Sequence, residues 1–253
     1  MKIKDFFKGL FARRTKPAIV NLEFPTQWET MSLADFKEVC KILTLPGIGR
    51  DRALFLCFCQ LAHIRPDNPN LYDPRLLHGK MPFIIDGQTH IIGAEALSEA
   101  TNQISYIYDS IGLPPCPFDG IDRKLYSTSF KVFFTVDSLL LRSAAENNGA
   151  YMKEAAKILT GGRKRKLQPW ERTAFTIWWN GVKETLMQMY PYVLKKDENF
   201  TTSKTQAQIL QDLLSVMNDN RPQENAKILD TDVHSVLHAL NKIYEDANKK
   251  LPR

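Results

Sequence analysis

Residues 169–191 read PWERTAFTIWWNGVKETLMQMYP, and this aromatic stretch predicts the helix that anchors the fold. Pro169 suits the first turn of a helix, because its fixed φ is helical and its missing N–H would have no partner there. Pro191 then ends the pattern. Apolar residues recur at steps of three and four, which places them on one helical face. They are Phe175, Trp178, Trp179, Val182, Leu186 and Met189.

Helical periodicity continues on both sides of this stretch. Ser32 followed by Asp35 has the spacing at which a side chain accepts an early backbone N–H, so it predicts a helix start. Residues 53–62 are apolar nearly all round, which indicates a helix surrounded by others. Residues 83–92 form two apolar runs around Asp86-Gly87, the strongest local signal for a β-hairpin. Further helical stripes lie within residues 97–108, 130–145, 152–159, 210–217 and 233–243.

These patterns predict a mainly α fold, namely a multi-helix globular body with one short β-hairpin and a C-terminal helical hairpin. The proline-rich residues 65–82 indicate a long irregular connection. The polar residues 195–204 lack periodicity, which is typical of a linker. The sequence therefore divides into a basic amphipathic arm at 1–20, a helical core domain at 21–194 with the β-hairpin near 83–92, the linker at 195–204 and the helical hairpin at 205–253.

The net charge of +6 is concentrated in two places. Residues 1–20 carry +5, and Arg163, Lys164, Arg165 and Lys166 together carry +4, so the remainder is close to −3. Four adjacent cations on a flexible loop can neutralise several phosphates, which favours nucleic-acid binding. A solvated loop between helices has the same composition, so both interpretations stay open. Trp170 and Trp179 would add aromatic groups, although periodicity assigns Trp179 to the core.

The basic arm has a second feature, an apolar face. Phe6, Phe7, Leu10 and Phe11 share one side of a short amphipathic helix with Ile3. Such a helix can dock into a groove on a partner protein, and these four residues are the predicted partner-binding site. It can also lie on an anionic membrane surface, or stay disordered until bound.

The positions of the cysteines and the hydropathy of the chain indicate its cellular compartment. Three of the four cysteines, at positions 40, 57, 59 and 116, lie in apolar helical stretches, where a free thiol serves as a small hydrophobe. This usage favours a reducing compartment. No stretch approaches the roughly 18 to 20 apolar residues of a membrane span, and the first residues lack the apolar core of a signal peptide. The sequence predicts a cytoplasmic protein without a transmembrane segment.

Catalytic and metal-binding motifs are weak. His234 and His238 have a spacing that can place two imidazoles on one metal, with solvated or interface histidines as the simpler interpretation. Cys57 and Cys59 would point about 200° apart on a helix, which favours buried core thiols. Pro46-Gly-Ile-Gly49-Arg lacks the third glycine of a phosphate-binding loop. The sequence therefore predicts no catalytic residue, no metal site, no cofactor and a function other than catalysis, although a site without a linear motif would escape this argument.

Four stretches together carry a family resemblance. They are FPTQWETMSL at 24–33, the hairpin and helix of 83–108, the segment 170–192 with Trp178-Trp179 and Tyr190-Pro191-Tyr192, and DVHSVLHAL at 232–240. They resemble uncharacterised proteins encoded among the tail and other structural genes of phages and prophages. The resemblance spans about residues 22 to 248.

This resemblance implies a role in building a virion. Tail assembly chaperones are helical proteins that hold an aggregation-prone tape-measure or tail protein before it polymerises. By this analogy the partners are other phage tail or structural proteins, bound through protein contacts. The protein would work in the host cytoplasm, with retention in the virion left open. The resemblance supplies no functional residue.

Overall fold

The computed structural model describes residues 23–66, 80–109, 112–164, 166–193, 206–218 and 221–249. The chain divides into two compact units that are each discontinuous in sequence. The described residues of unit 1 are 23–26, 46–66 and 80–107, and those of unit 2 are 27–45 and the described residues from 108 onward. Residues of the predicted core 21–194 occur in both units. The predicted arm 1–20 and linker 195–204 lie outside the described residues.

The described residues are mainly α-helical, which confirms the fold class. In chain order the elements are α1 (Leu33–Leu43), α2 (Arg50–Leu61), β1 (Arg65–Pro66), β2 (Lys80–Ile85), β3 (Gln88–Gly93), α3 (Ala94–Gln103), α4 (Phe130–Ala145), α5 (Gly149–Leu159), α6 (Pro169–Met189), α7 (Gln206–Met217), α8 (Asn225–Asp230) and α9 (Val233–Lys249). Short 3-10 helices cover Trp28–Thr30, Ser105–Ile107 and Pro222–Glu224.

Side-chain caps explain where several helices begin. The hydroxyl of Ser32 accepts the Asp35 N–H at 3.1 Å, so α1 starts where the sequence predicts. At α6, Pro169 occupies the first turn and Glu171 accepts the Gln168 N–H at 2.7 Å. The predicted helix within 97–108 ends earlier, at Gln103, because a tighter 3-10 turn over Ser105–Ile107 follows it.

Unit 1 contains the predicted β-hairpin. Asp86 and Gly87 have positive φ values of 50° and 77°, as a two-residue turn that matches strand twist requires. The hairpin is longer than expected, because β2 begins at Lys80, and β1 pairs antiparallel with β2 at the outer edge. Residues 65, 66 and 80–82 therefore belong to a three-stranded sheet, although the sequence assigned them to an irregular connection. A two-residue strand is too short to produce a periodic pattern.

The core of unit 2 is built around α6, as the aromatic stretch predicts. Phe175, Trp178 and Trp179 are at most 1% exposed, and the ring of Phe133 stacks on Trp179 with centroids 5.4 Å apart. Burying a side chain of this size stabilises the fold by roughly 2 to 3 kcal/mol. Met189 was predicted on the same face but is 40% exposed, since it lies in the last turn of α6.

The C-terminal helices belong to the same core. Four residues of α9 join the apolar cluster that contains the α6 aromatics, and α7 and α8 pack against it with partly buried side chains. The four are Val233, Val236, Leu237 and Leu240. The two stripes of the predicted C-terminal hairpin thus both reach the core that α4, α5 and α6 form.

The buried cysteines agree with the predicted core thiols. Cys57 and Cys59 on α2 are 0% and 6% exposed, and Cys40 on α1 is fully buried. Burial raises the pKa of both Cys57 and Cys59 to about 12, because the thiolate would lose its hydration. All four cysteines are free thiols.

Candidate functional site

An open groove of about 500 Å³ runs along one side of α6 in unit 2, and we call it the α6 groove. The turn between α4 and α5 forms the opposite wall. The groove residues contributed by α6 form a single stripe, because they recur between Arg172 and Lys183 at steps of four, three, one and three. The full lining is Leu140, Leu141, Ser143, Ala144, Asn147, Gly149, Met152, Arg172, Thr176, Trp179, Asn180 and Lys183.

The floor of the α6 groove is apolar and its upper wall is open to solvent. Trp179 is 1% exposed and closes the bottom, where its ring stacks on Phe133 of α4. Leu140 and Met152 are half-buried on the facing wall. Leu141 is 41% exposed at the rim, so the groove presents a large apolar side chain to water. Grooves of this composition are typical of sites that bind amphipathic helices.

The rim formed by the α4–α5 turn is held by local hydrogen bonds. The Asn148 side chain accepts the Ala150 N–H at 3.0 Å, and the Ser143 hydroxyl donates to the Asn148 carbonyl at 3.0 Å. Outside the groove, Arg142 donates to the Tyr151 hydroxyl at 2.8 Å and pairs with Glu146 at 3.2 Å. The groove wall is therefore preformed.

The charge of the α6 groove is positive. Arg172 and Lys183 line it, whereas its lining contains no Asp or Glu. Asp137, which is not among the lining residues, accepts the Trp179 indole N–H at 2.9 Å and pairs with Lys183 at 3.3 Å. Arg172 is exposed on α6, and no carboxylate in the described part of the chain forms an ion pair with it. An arriving acidic group would therefore meet an uncompensated guanidinium.

A second cleft, also of about 500 Å³, lies where α1 meets the start of α6, and we call it the basic cleft. Lys37 of α1 sits over the Trp170 ring, 5.3 Å from its centroid, in a cation–π contact. Its lining is Leu33, Lys37, Pro117, Phe118, Asp119, Thr160, Arg163, Lys164, Trp170 and Glu171. Trp170 is half-buried, whereas Trp28, Trp178 and Trp179 are at most 1% exposed.

The predicted nucleic-acid residues are only partly brought together. Arg163 and Lys164 both line the basic cleft, where Arg163 donates to the Thr160 carbonyl at 3.0 Å. Lys164 forms an ion pair with Glu171, which is 5% exposed, so its charge is already compensated inside the protein. Lys166 is exposed and outside the cleft lining, and Arg165 lies outside the described residues.

The two histidines of the weak metal motif have different environments. His234 is 7% exposed and stacks on Tyr126 with centroids 4.1 Å apart. Its Nε2 donates to the Lys124 carbonyl at 2.7 Å, and its Nδ1 is hydrogen-bonded to the Tyr190 hydroxyl, 2.9 Å away. His238 is exposed. His234 is thus a structural residue that ties α9 to the end of α6.

Other predicted features fall partly outside the structure. The partner-binding residues Phe6, Phe7, Leu10 and Phe11 lie outside the described residues. Among the residues that the structure does describe, no cluster of three or more His, Cys, Asp or Glu side chains is placed to hold a metal ion. Within those described residues, no helix has the length and hydropathy needed to cross a bilayer.

The sequence did not identify the α6 groove. One sequence feature could have indicated the groove, namely a polar stripe beside the apolar face of α6. Its residues recur at steps of four, four and three, and they are Arg172, Thr176, Asn180 and Lys183. A stripe of this kind usually faces open solvent. Only the packing of α4 and α5 beside it turns the stripe into the wall of a groove.

Neither a family model, nor a curated protein, nor a solved structure matches the chain.

Proposed function

We propose that this chain is an assembly or structural protein of a phage tail that acts by binding other proteins, with the α6 groove as its docking site. The observation that supports the proposal is the open groove itself, which combines an apolar floor at Trp179 with an exposed Leu141 at its rim. Exposed apolar side chains in a concave surface favour protein contacts.

The chemistry of the groove also agrees with a client-binding role. Met152 and two leucines can adjust to different apolar partners, because their side chains have several accessible rotamers. The wall is fixed by the Ser143 and Asn148 hydrogen bonds, so binding would cost little ordering of this protein. These are the properties that a protein needs to hold an aggregation-prone tail component before assembly.

Co-expression with the products of the flanking genes tests the proposal. We expect one of them, in particular a long helix-rich protein of the tape-measure kind, to co-purify with the chain. Leu141→Asp should weaken this complex at least about tenfold, because a charge would enter an apolar contact. The complex is measured by affinity capture and by titration calorimetry of the purified proteins.

The matched control is Ile243→Asp. Ile243 on α9 is also 41% exposed, but it lies outside the groove lining, so both variants place the same charge at equally exposed sites. We expect Ile243→Asp to leave the complex unchanged. Failure to bind any flanking product, or equal weakening by both variants, would contradict the proposal.

We propose nucleic-acid binding as a second candidate function, because the basic cleft places Lys37 and Arg163 beside a half-exposed Trp170. Bases stack on aromatic side chains while cations track the backbone, so this grouping suits a single strand. Lys166 on the neighbouring loop would add a further cation, whereas Lys164 would add little because Glu171 already pairs with it.

Tryptophan fluorescence tests this second candidate. Trp170 is the tryptophan open to solvent, so a bound single-stranded oligonucleotide should quench its emission, and the affinity should fall steeply with salt. The test variant is Arg163→Gln with Lys166→Gln, which leaves Lys164 in place to avoid stranding the buried Glu171. Lys153→Gln with Lys157→Gln, on the exposed side of α5, is the control. Unchanged oligonucleotide binding by the test variant would exclude the basic cleft.

A further inference from the structure

The α6 groove has the length of a short helix. Its α6 stripe extends from Arg172 to Lys183, which at about 1.5 Å per residue spans roughly 16 Å. Three turns of an α-helix cover the same distance. Four of the five α6 residues in the lining are polar, and the fifth, Trp179, is buried, so the α6 wall combines a polar stripe with one large apolar side chain.

The charges of the groove determine which three-turn helices it would bind. Both ionisable residues in the lining are cations, and they stand near opposite ends of the α6 stripe. Lys183 forms an ion pair with Asp137 at 3.3 Å, while Arg172 has no ion-pair partner among the described residues. The guanidinium lies against the Gly149 backbone, where a Cβ would come within 3.4 Å of its Nη1. Arg172 is exposed and lines the groove, so a bound segment can reach its guanidinium.

We infer that the α6 groove binds an acidic amphipathic helix of about three turns, with apolar side chains toward Trp179 and carboxylates toward Arg172. This inference rests on the proposed protein-binding function and specifies the chemistry of the partner. The apolar contact supplies the affinity, and the Arg172 guanidinium, which has no ion-pair partner among the described residues, fixes the orientation and disfavours basic segments. A partner segment is recognised by apolar residues at i, i+3 or i+4 and i+7, with Glu or Asp along one flank.

Two synthetic peptides of about 14 residues test the inference. Both carry leucines at the helical positions i, i+3, i+4 and i+7, and they differ only in having Glu or Lys along one flank. We expect the Glu peptide to bind the full chain about fivefold more tightly than the Lys peptide in a fluorescence anisotropy titration. The preference should shrink as salt is raised, because the Arg172 charge is exposed to screening.

Charge reversal at the rim provides the decisive variant. Arg172→Glu should reverse the preference so that the Lys peptide binds more tightly, whereas the control Lys153→Glu, an exposed cation on α5 outside the lining, should keep it. Equal binding of both peptides, binding of neither, or the same response in both variants would overturn the inference. A dimer of the chain that Leu141→Asp dissociates would also overturn it, since a second copy would then occupy the groove.

The outcomes separate this inference from the function on which it rests. If a flanking gene product binds through Leu141 but the peptides show no charge preference, the protein-binding function stands and the acidic helix is wrong. If the peptides behave as expected but no flanking product binds, the groove chemistry stands and the tail-assembly role is wrong.

Discussion

Single residues decide how closely the elements of unit 2 approach one another. A Cβ at Gly181 would come within 2.5 Å of the Pro114 ring and 2.6 Å of the Gly112 carbonyl oxygen. The loop that contains Pro114 is held in turn by Arg123, whose guanidinium donates to the Pro114 carbonyl at 2.9 Å and also to the Leu113 carbonyl. Glycine at position 181 is therefore required by contact between backbones.

Gly181→Ala should lower the free energy of unfolding by at least about 2 kcal/mol, because backbone atoms cannot yield as a flexible side chain can. The measurement is a denaturant titration followed by circular dichroism. Gly149→Ala is the control, since a Cβ there meets only the end of the Arg172 side chain at 3.4 Å. Equal stability of Gly181→Ala and the wild type would show that the loop and α6 are not packed as described.

The thiols of α2 predict a pH dependence. The pKa of Cys57 is raised by burial from 9.0 to about 12, and the pKa of Cys59 is raised equally. Because the pKa of each thiol is higher in the folded chain than in the unfolded chain, its contribution to the free energy of unfolding is complete below pH 9. This contribution is lost as the pH rises toward 12. Both thiols should resist iodoacetamide at pH 8 in the folded protein and react after denaturation, as read by mass spectrometry.

Alkylation of either cysteine in the folded chain at the rate of a solvent-exposed thiol would contradict this burial. The matched comparison is Cys57→Ala. Between pH 9 and pH 11 its free energy of unfolding should fall less than that of the wild type, because one of the two buried thiols is absent. If the decline is the same in both proteins, the Cys57 thiol does not titrate as its environment requires.

At the scale of elements, local chemistry in the sequence accounts for most of what forms. Ser32 and Pro169 mark true helix starts, and Asp86-Gly87 forms the turn of a true hairpin. The sequence did not predict which helices pack against one another. Nothing in the pattern of α9 shows that Val236 would join the core around α6, and no motif connects Lys37 of α1 with Trp170 of α6. Both clefts are formed by contacts of this kind, between residues that are far apart in the sequence.

The link between α6 and α9 predicts a specific loss of stability. The Tyr190 hydroxyl is hydrogen-bonded to Nδ1 of buried His234, so Tyr190→Phe should leave Nδ1 without a partner and cost about 1 to 2 kcal/mol. Tyr192→Phe is the control, because Tyr192 is 44% exposed. Thermal unfolding compares the two variants. A Tyr190→Phe variant as stable as Tyr192→Phe would show that the hydrogen bond is not a tie between the helices.

On the scale of the whole molecule, the α6 groove and the basic cleft, both lined by described residues of unit 2, have similar sizes but different chemistry. The α6 groove joins an apolar floor to two cations without a carboxylate in its lining, while the basic cleft mixes cations with Asp119 and Glu171. The first composition favours an acidic helix, and the second favours a ligand that offers both a ring and phosphates. Neither composition was visible in the sequence, because the lining residues are far apart in the chain and meet only after folding.

The most direct measurement of the central claim is a methyl NMR titration of the full chain with the Glu-flanked peptide. We expect the largest shifts at the methyl groups of Leu140, Leu141 and Met152, which line the α6 groove. The methyl groups of Leu33 in the basic cleft and of Ile243 on α9 should stay unchanged. Shifts centred on Leu33 or Ile243, with the groove methyl groups unperturbed, would contradict the claim that this protein binds its partner through the α6 groove.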